Sequence, residues 1–152
     1  MWRRRTEDYV EAIFDLSSER GYTRVKDIAS SLNVKPASVS EMMAKLQRYG
    51  YIFYEKRLFV ALTDEGKQLA LEVKKRREVL IKFLGSIGVS SEVAEKDACI
   101  IEHVLDHSTI EQLSNLVSFI EEAPNNDPRW LRHFREYCKN GVHPCIMVKG
   151  SN

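Results

Sequence analysis

The chain has 152 residues, 43% of them apolar and 30% charged, with a formal net charge of +1. That is enough apolar material for a packed core in one domain or two small ones, and too much for a disordered chain. No apolar run approaches the roughly 18 residues a membrane span needs, and the opening Met1-Trp2-Arg3-Arg4-Arg5 lacks a signal peptide's apolar stretch, so a cytoplasmic protein with no membrane partner is expected.

The apolar spacing of Tyr9, Val10, Ile13, Phe14 and Leu16 predicts a helix over 6–19, with Thr6-Glu7-Asp8 as its start signal. A short helix follows over 25–32. A third runs from Pro36, suited to a first helical turn, to Tyr49, with Val39, Met42, Met43 and Leu46 facing inward. Residues 51–62 are rich in aromatic and branched side chains and read as two short strands with Glu55-Lys56-Arg57 at the bend. Thr63-Asp64-Glu65-Gly66 opens a long helix to about Leu84, and Gly85 and Gly88 break it. Ser90 or Ser91 then caps a helix to about Leu105, and Ser108 or Thr109 caps another to about Glu122. A loop over 123–128 leads to a short helix around Trp130 to Tyr137 and an irregular end.

Three helices followed by a hairpin are the order of a winged helix-turn-helix. Ala29 is small enough to let two helices cross closely, and Leu32 and Val34 wedge the turn between them. Lys35, Pro36, Ala37, Ser38, Ser40, Glu41 and Lys45 then lie on the leading turn or outer side of a recognition helix, where small and hydroxyl side chains approach base edges. Arg24, Lys26, Lys56 and Arg57 would add phosphate contacts. A three-helix core with no nucleic-acid role would use the same apolar pattern.

Charge is unevenly spread: residues 1–60 carry net +3, residues 91–127 net −8 and residues 128–152 net +4. A basic front suits a polyanion and an acidic quarter suits a cation, although two solvated faces would give the same counts. Cys99, Glu102 and His103 stand at i, i+3 and i+4, which share one face of a helix; Asp8 and Glu11 repeat the i, i+3 spacing near the start. Such a mixed set suits Fe(II), Mn(II), Co(II), Ni(II) or Zn(II). On spacing alone, Cys99 reads first as a buried small hydrophobe, and Glu102–His103 could be an exposed pair.

Four segments carry a resemblance. They are Thr6-Glu7-Asp8-Tyr9-Val10-Glu11-Ala12-Ile13, then Asp27-Ile28-Ala29 with Val34-Lys35-Pro36-Ala37-Ser38-Val39-Ser40, then Leu62-Thr63-Asp64-Glu65-Gly66, and Cys99-Ile100-Ile101-Glu102-His103. From Arg5 to about Glu122 the chain resembles the diphtheria toxin repressor and manganese transport regulator family of metal-dependent repressors. The resemblance implies a mainly α protein: a winged helix-turn-helix DNA-binding domain over 1–63, a helical metal-binding and dimerisation domain over 64–125, and a short helix and tail over 126–152. It implies a homodimer that binds a palindromic double-stranded DNA operator when a metal is bound. Position by position, Asp8, Glu102 and His103 match metal ligands, Glu11 matches a carboxylate of the manganese-type members, and Cys99 matches the iron-type ligand. A thiol favours the softer ion, so Fe(II) is expected, with Mn(II) as the runner-up.

The chain departs from the family at Arg77, where a His of a second metal position is common; a guanidinium cannot ligate a metal. One principal ion per subunit is therefore expected, with Arg77 pairing with Glu11 or another carboxylate of the acidic quarter. The hairpin lacks the Gly often found at its tip, and at 152 residues a third, SH3-like domain is not expected. Three cysteines make no disulfide framework, and Cys138, His143 and Cys145, with His133 nearby, do not follow a standard zinc spacing. Competing readings are a winged-helix regulator controlled by a non-metal effector and a pure dimerisation module. An enzyme is not expected, nor a small organic substrate: Cys99 and His103 have no orienting third group, and phosphate loops and HExxH are absent from the sequence.

Overall fold

The computed structural model describes residues 2–144. Its elements in chain order are α1 (Trp2–Ser17), α2 (Val25–Ser31), α3 (Pro36–Arg48), β1 (Ile52–Glu55), β2 (Phe59–Leu62), α4 (Asp64–Ser86), α5 (Ser91–Ile101), α6 (His107–Glu121) and α7 (Arg129–Asn140), with a 3-10 turn at Pro124–Asn126. The expected mainly helical class with a winged helix-turn-helix in front is what the chain adopts. It forms two compact units, Met1–Lys75 and Arg76–Asn152.

The first unit is built on one apolar cluster. Tyr9, Val10 and Ile13 of α1 meet Ile28 and Ala29 of α2, Val39, Met42, Met43 and Leu46 of α3, and Ile52, Val60 and Leu62 of the hairpin. Leu16, expected inward, is exposed, because the next position on the core-facing row after Ile13 is taken by half-buried Ser17. Helix α1 also begins four residues before the expected start. Between α2 and α3 the chain reverses at Asn33 (φ 52°), a left-handed conformation that Asn tolerates. The Val34 amide closes this turn on the Ala29 carbonyl at 3.0 Å. Val34 itself is 38% exposed, so Leu32 is the better wedge.

The hairpin pairs Ile52 with Leu62 and Tyr54 with Val60, which places their side chains on the core face. Its tip has no glycine; Arg57 takes the left-handed conformation (φ 70°) instead. Thr23 adds a third edge, exchanging backbone bonds of 2.8 and 2.9 Å with Val60. That tie holds the wing to the segment leading into α2.

Helix α4 opens with a full cap. The Gly66 amide donates to Thr63 Oγ1 at 3.1 Å, and the Thr63 hydroxyl donates to the Gly50 carbonyl at 2.6 Å. The Thr63 amide donates to the Tyr51 carbonyl at 3.0 Å. A Cβ at position 66 would fall on that same carbonyl oxygen, and 3.1 Å from Leu62 Cδ2. The obstruction is backbone held by a hydrogen bond, so it cannot rotate aside. Gly66→Ala is expected to lower stability by about 3 kcal/mol or more, against the small gain Ala brings in an open helix. A urea melt checks this; an unchanged midpoint would show that the strand end gives way.

In the second unit Leu80, Ala98 and Ile110 are buried together, with Ile81, Ile101, Leu105 and Leu113 packed around them. Here the boundaries differ from expectation. Gly85 lies inside α4, which ends at Ser86. Asp106 caps α6, accepting from the Ser108 amide at 2.9 Å and hydroxyl at 2.7 Å, so α6 starts before the expected Ser108 or Thr109. Helix α5 correspondingly stops at Ile101, with Glu102 at its C-cap. Helix α7 extends to Asn140 and is stopped by Gly141 (φ 69°), whose amide bonds the Tyr137 carbonyl at 2.8 Å.

Candidate nucleic-acid interface and metal centre

Burying Val39, Met42, Met43 and Leu46 on one side of α3 leaves the opposite side to solvent. Lys35, Pro36, Ala37, Ser38, Glu41 and Lys45 are exposed, and Ser40 is half-buried with its hydroxyl donating to the Pro36 carbonyl at 3.1 Å. Lys35 sits at the N-cap without capping the first turn through its side chain. The leading amides of α3 therefore remain available to an anion. Arg24, Lys26, Lys56 and Arg57 are exposed as well. A groove of about 360 Å³ runs between the start of α3 and the wing, with Arg24, Lys26, Pro36, Arg57, Leu58 and Phe59 along it. Sequence reasoning passed over Leu58, which is 57% exposed at the wing tip. Its signal was an apolar residue directly after two cations at a predicted bend.

The acidic quarter behaves differently. The side chains of Glu102 and His103 are fully enclosed, with Glu102 Oε1 3.3 Å from His103 Nε2. Arg77 of α4 grips the same carboxylate with two bonds, Nε to Oε2 at 2.9 Å and Nη2 to Oε1 at 2.5 Å. This fork of parallel N–H donors matches a carboxylate's geometry and explains how an acid is tolerated there. A carboxylate of the acidic quarter is among the partners expected for Arg77, and Glu102 is such a partner. Cys99, by contrast, is exposed. A shared face needs unbroken helix through His103, but α5 ends at Ile101 and the chain continues as a turn, and the thiol and the acid–imidazole pair differ in environment.

In the first unit Glu11 is buried and Asp8 half-buried; Glu7, which sequence reasoning did not single out, is only 2% exposed. Burial pushes the Tyr9 phenol above its usual range, with Arg5 acting the other way. Among the described residues, no group of three or more His, Cys, Asp and Glu side chains is gathered as a metal site. The carboxylate of Glu102 and the imidazole of His103 are one hard and one borderline donor, side by side and screened from water, with the carboxylate held at both oxygens by Arg77. In the tail, Cys138 and His143 are exposed and His133 is half-buried, while Cys145 lies outside the described residues.

Residues 1–60 match the family profile described as the iron dependent repressor N-terminal DNA binding domain, and residues 63–131 match its metal binding and dimerisation domain. The chain belongs to the iron-dependent repressor family. These repressors are metal-dependent transcriptional regulators, and this chain carries the family's DNA-binding and dimerisation domains in that order. It is 42% identical over 116 residues to the HTH-type transcriptional regulator MntR of Bacillus subtilis (strain 168), covering 76% of this chain and 82% of the relative. The MntR of Geobacillus kaustophilus (strain HTA426) is 40% identical over 133 residues, covering 88% and 92%.

Solved repressors share the fold. A manganese-dependent transcriptional repressor in complex with manganese superposes with a TM-score of 0.67 at 25% identity, covering 81% of this chain and 57% of that one. The T. acidophilum IdeR gives 0.62 at 28% identity, covering 74% and 53%. This chain thus spans little more than half the length of those two. The hypothetical protein SSo2273 from Sulfolobus solfataricus, at 21% identity and a TM-score of 0.66, is alike in fold, with 82% of this chain and 95% of that one covered.

Proposed function

We propose that this family member is a Mn(II)-responsive repressor that binds a palindromic operator as a homodimer. The observation that carries the reading is the enclosed Glu102–His103 pair inside the metal-binding domain. The ligands we assign are Glu102 and His103, with Asp8, Glu11 and Cys99 added on resemblance. Fe(II), first expected because of the Cys99 thiol, gives way to Mn(II) for two reasons. The solved relatives at this level of similarity include a repressor with manganese and a manganese regulator, and the enclosed donors are oxygen and nitrogen while the thiol is exposed. When bound, the ion supplies positive charge to enclosed carboxylate.

DNA recognition we assign to the 1–63 region, with Lys35, Lys45, Arg24, Lys26, Lys56 and Arg57 on phosphates and Ser38, Ser40 and Glu41, beside Pro36 and Ala37, near base edges. Residues 64–125 serve metal binding and dimerisation, and 126–152 form an appended helix and tail. The relatives regulate transcription, which supports a non-catalytic role in the cytoplasm. Operator affinity measured by fluorescence anisotropy, with and without Mn(II), tests the reading. Mn(II) is expected to tighten binding by about 5- to 150-fold, the usual range for coupled sites. Equal affinity in both conditions would reject metal control in favour of a non-metal effector.

A further inference from the structure

We infer that Leu58 is an apolar wedge: the tip of the wing presents it to the minor groove of the operator, where it enters between stacked base pairs and bends the duplex. This rests on the reading of residues 1–63 as the operator-binding region. The hairpin turns at Lys56 and Arg57, and Leu58 follows them 57% exposed. A single exposed leucine is ordinary on a protein surface. This one stands at the end of a braced element and beside a cationic groove. The Leu58 amide donates to the Glu55 carbonyl at 3.0 Å, and Val60, two residues on, exchanges backbone bonds of 2.8 and 2.9 Å with Thr23. The Phe59 ring between them lies edge-on to Tyr22, with centroids 6.4 Å apart. Arg57 keeps a cation at the apex in a left-handed conformation (φ 70°) that glycine adopts more readily.

The groove beside the tip decides which part of the duplex Leu58 meets. Arg24, Lys26 and Arg57 line it between the start of α3 and the wing, with Glu55 as the acid among them. That balance of charge suits a sugar–phosphate strand. With α3 in the major groove, the strand seated there is the wall between the two grooves, so the wing tip on its far side stands over the minor groove. The minor groove is only about 6 Å wide, too narrow for a two-stranded ribbon but open to one side chain. Lys56 and Arg57 then hold phosphates at its edges, while the uncharged Leu58 reaches the bases. Leucine is among the side chains that part a base step from this side, and a braced tip loses little freedom in doing so. Flexible pyrimidine–purine steps yield most easily, so Leu58 adds a sequence preference that contacts from α3 do not supply.

The probe is a duplex selected from a random-sequence library by the unaltered full chain with Mn(II). Bending is read from energy transfer between dyes at the duplex ends, and unstacking from the fluorescence of 2-aminopurine placed at successive positions. The unaltered protein is expected to bend the duplex by about 20–90° and to brighten 2-aminopurine at one step in each half-site. Leu58→Ala is expected to weaken affinity about tenfold, to reduce the bend and to abolish the brightening. It removes no charge, so its salt slope should match that of the unaltered chain, unlike that of Lys56→Ala. Its melting temperature without DNA should not change, since Leu58 lies outside the core cluster. Leu58→Met, still apolar and able to wedge, should keep both the bend and the brightening. A duplex left straight by the unaltered protein, or bent and brightened as before by Leu58→Ala, overturns the proposal. So does a loss of affinity in Leu58→Ala with the bend unchanged, which makes Leu58 a contact on the groove wall. Failure to select any duplex rejects the operator-binding reading and the wedge with it, whereas tight binding without unstacking rejects the wedge alone.

Discussion

Glu102→Ala is expected to abolish the Mn(II)-dependent tightening on operator DNA and to destabilise the metal-free protein at the same time. The first effect follows from the loss of an enclosed donor beside His103. The second follows from the ion pair. Removing one member of a buried pair typically costs about 3–5 kcal/mol, because the other loses that opposite charge. Here the two members are unequal: Glu102 is fully enclosed, while the Arg77 side chain keeps 27% of its surface in water. Glu102→Ala leaves behind the guanidinium, which can rehydrate, so its cost should fall near or below about 3 kcal/mol. Arg77→Met leaves behind the enclosed carboxylate and should cost more. Urea midpoints of the two variants in chelator give the order directly. If Glu102→Ala keeps metal-activated binding, the assignment of Glu102 as a ligand is wrong; if Arg77→Met is the milder change, the pair is not what balances Glu102.

Much of the first unit was legible because its elements announce themselves chemically. Pro36 marks the first turn of α3, and the spacing of Val39, Met42, Met43 and Leu46 is that of a buried helix face. The branched and aromatic run over 51–62 became a hairpin with Lys56, Arg57 and Leu58 in its turn. The tie between Thr23 and Val60 was not legible, since an isolated bridge depends on where the wing comes to rest. Nor was the start of α1, where Thr6 looks like a cap yet lies inside the helix and is buried. A cap signal is read from local chemistry, and burial against distant segments can override it.

At the candidate metal centre the residue types could be read from the sequence and their environments could not. A lone Cys is ordinarily buried, and an acid beside a His is ordinarily solvated. Both readings invert here: Cys99 is exposed while Glu102 and His103 are enclosed. The inversion has two physical causes. Asp106 starts α6 early, which shortens α5 and turns the chain at Glu102. Arg77, 25 residues upstream, supplies the charge that makes burial of that acid tolerable. No window of local sequence contains both facts. The unusual Arg was visible, but its partner among the carboxylates of the acidic quarter was not.

Operator affinity is expected to fall by about a thousandfold or more between 50 and 200 mM salt, the range for a protein that neutralises about 6–10 phosphates. That size follows from the cations proposed to face DNA. Arg24, Lys26, Lys35, Lys45, Lys56 and Arg57 are all exposed around the groove between α3 and the wing or on α3 itself. If about half to two-thirds of them reach phosphate in each half-site, a dimer falls within that range. Individual substitutions should then divide by role. Lys35→Ala and Lys45→Ala remove charge, so each should weaken binding on all sequences alike and flatten the salt slope by about one for each phosphate left unneutralised. Ser38→Ala and Glu41→Ala should leave the slope nearly unchanged and alter the preference between operators differing by one base pair, by about 1–3 kcal/mol for each base no longer read. The division is sharp because α3 buries Val39, Met42, Met43 and Leu46, so these outer residues can be changed without disturbing the core. Anisotropy titrations of the metal-loaded protein at several salt concentrations measure both quantities. A salt-independent affinity would contradict the phosphate contacts, and a Ser38 or Glu41 variant with unaltered operator preference would move base reading off this face of α3.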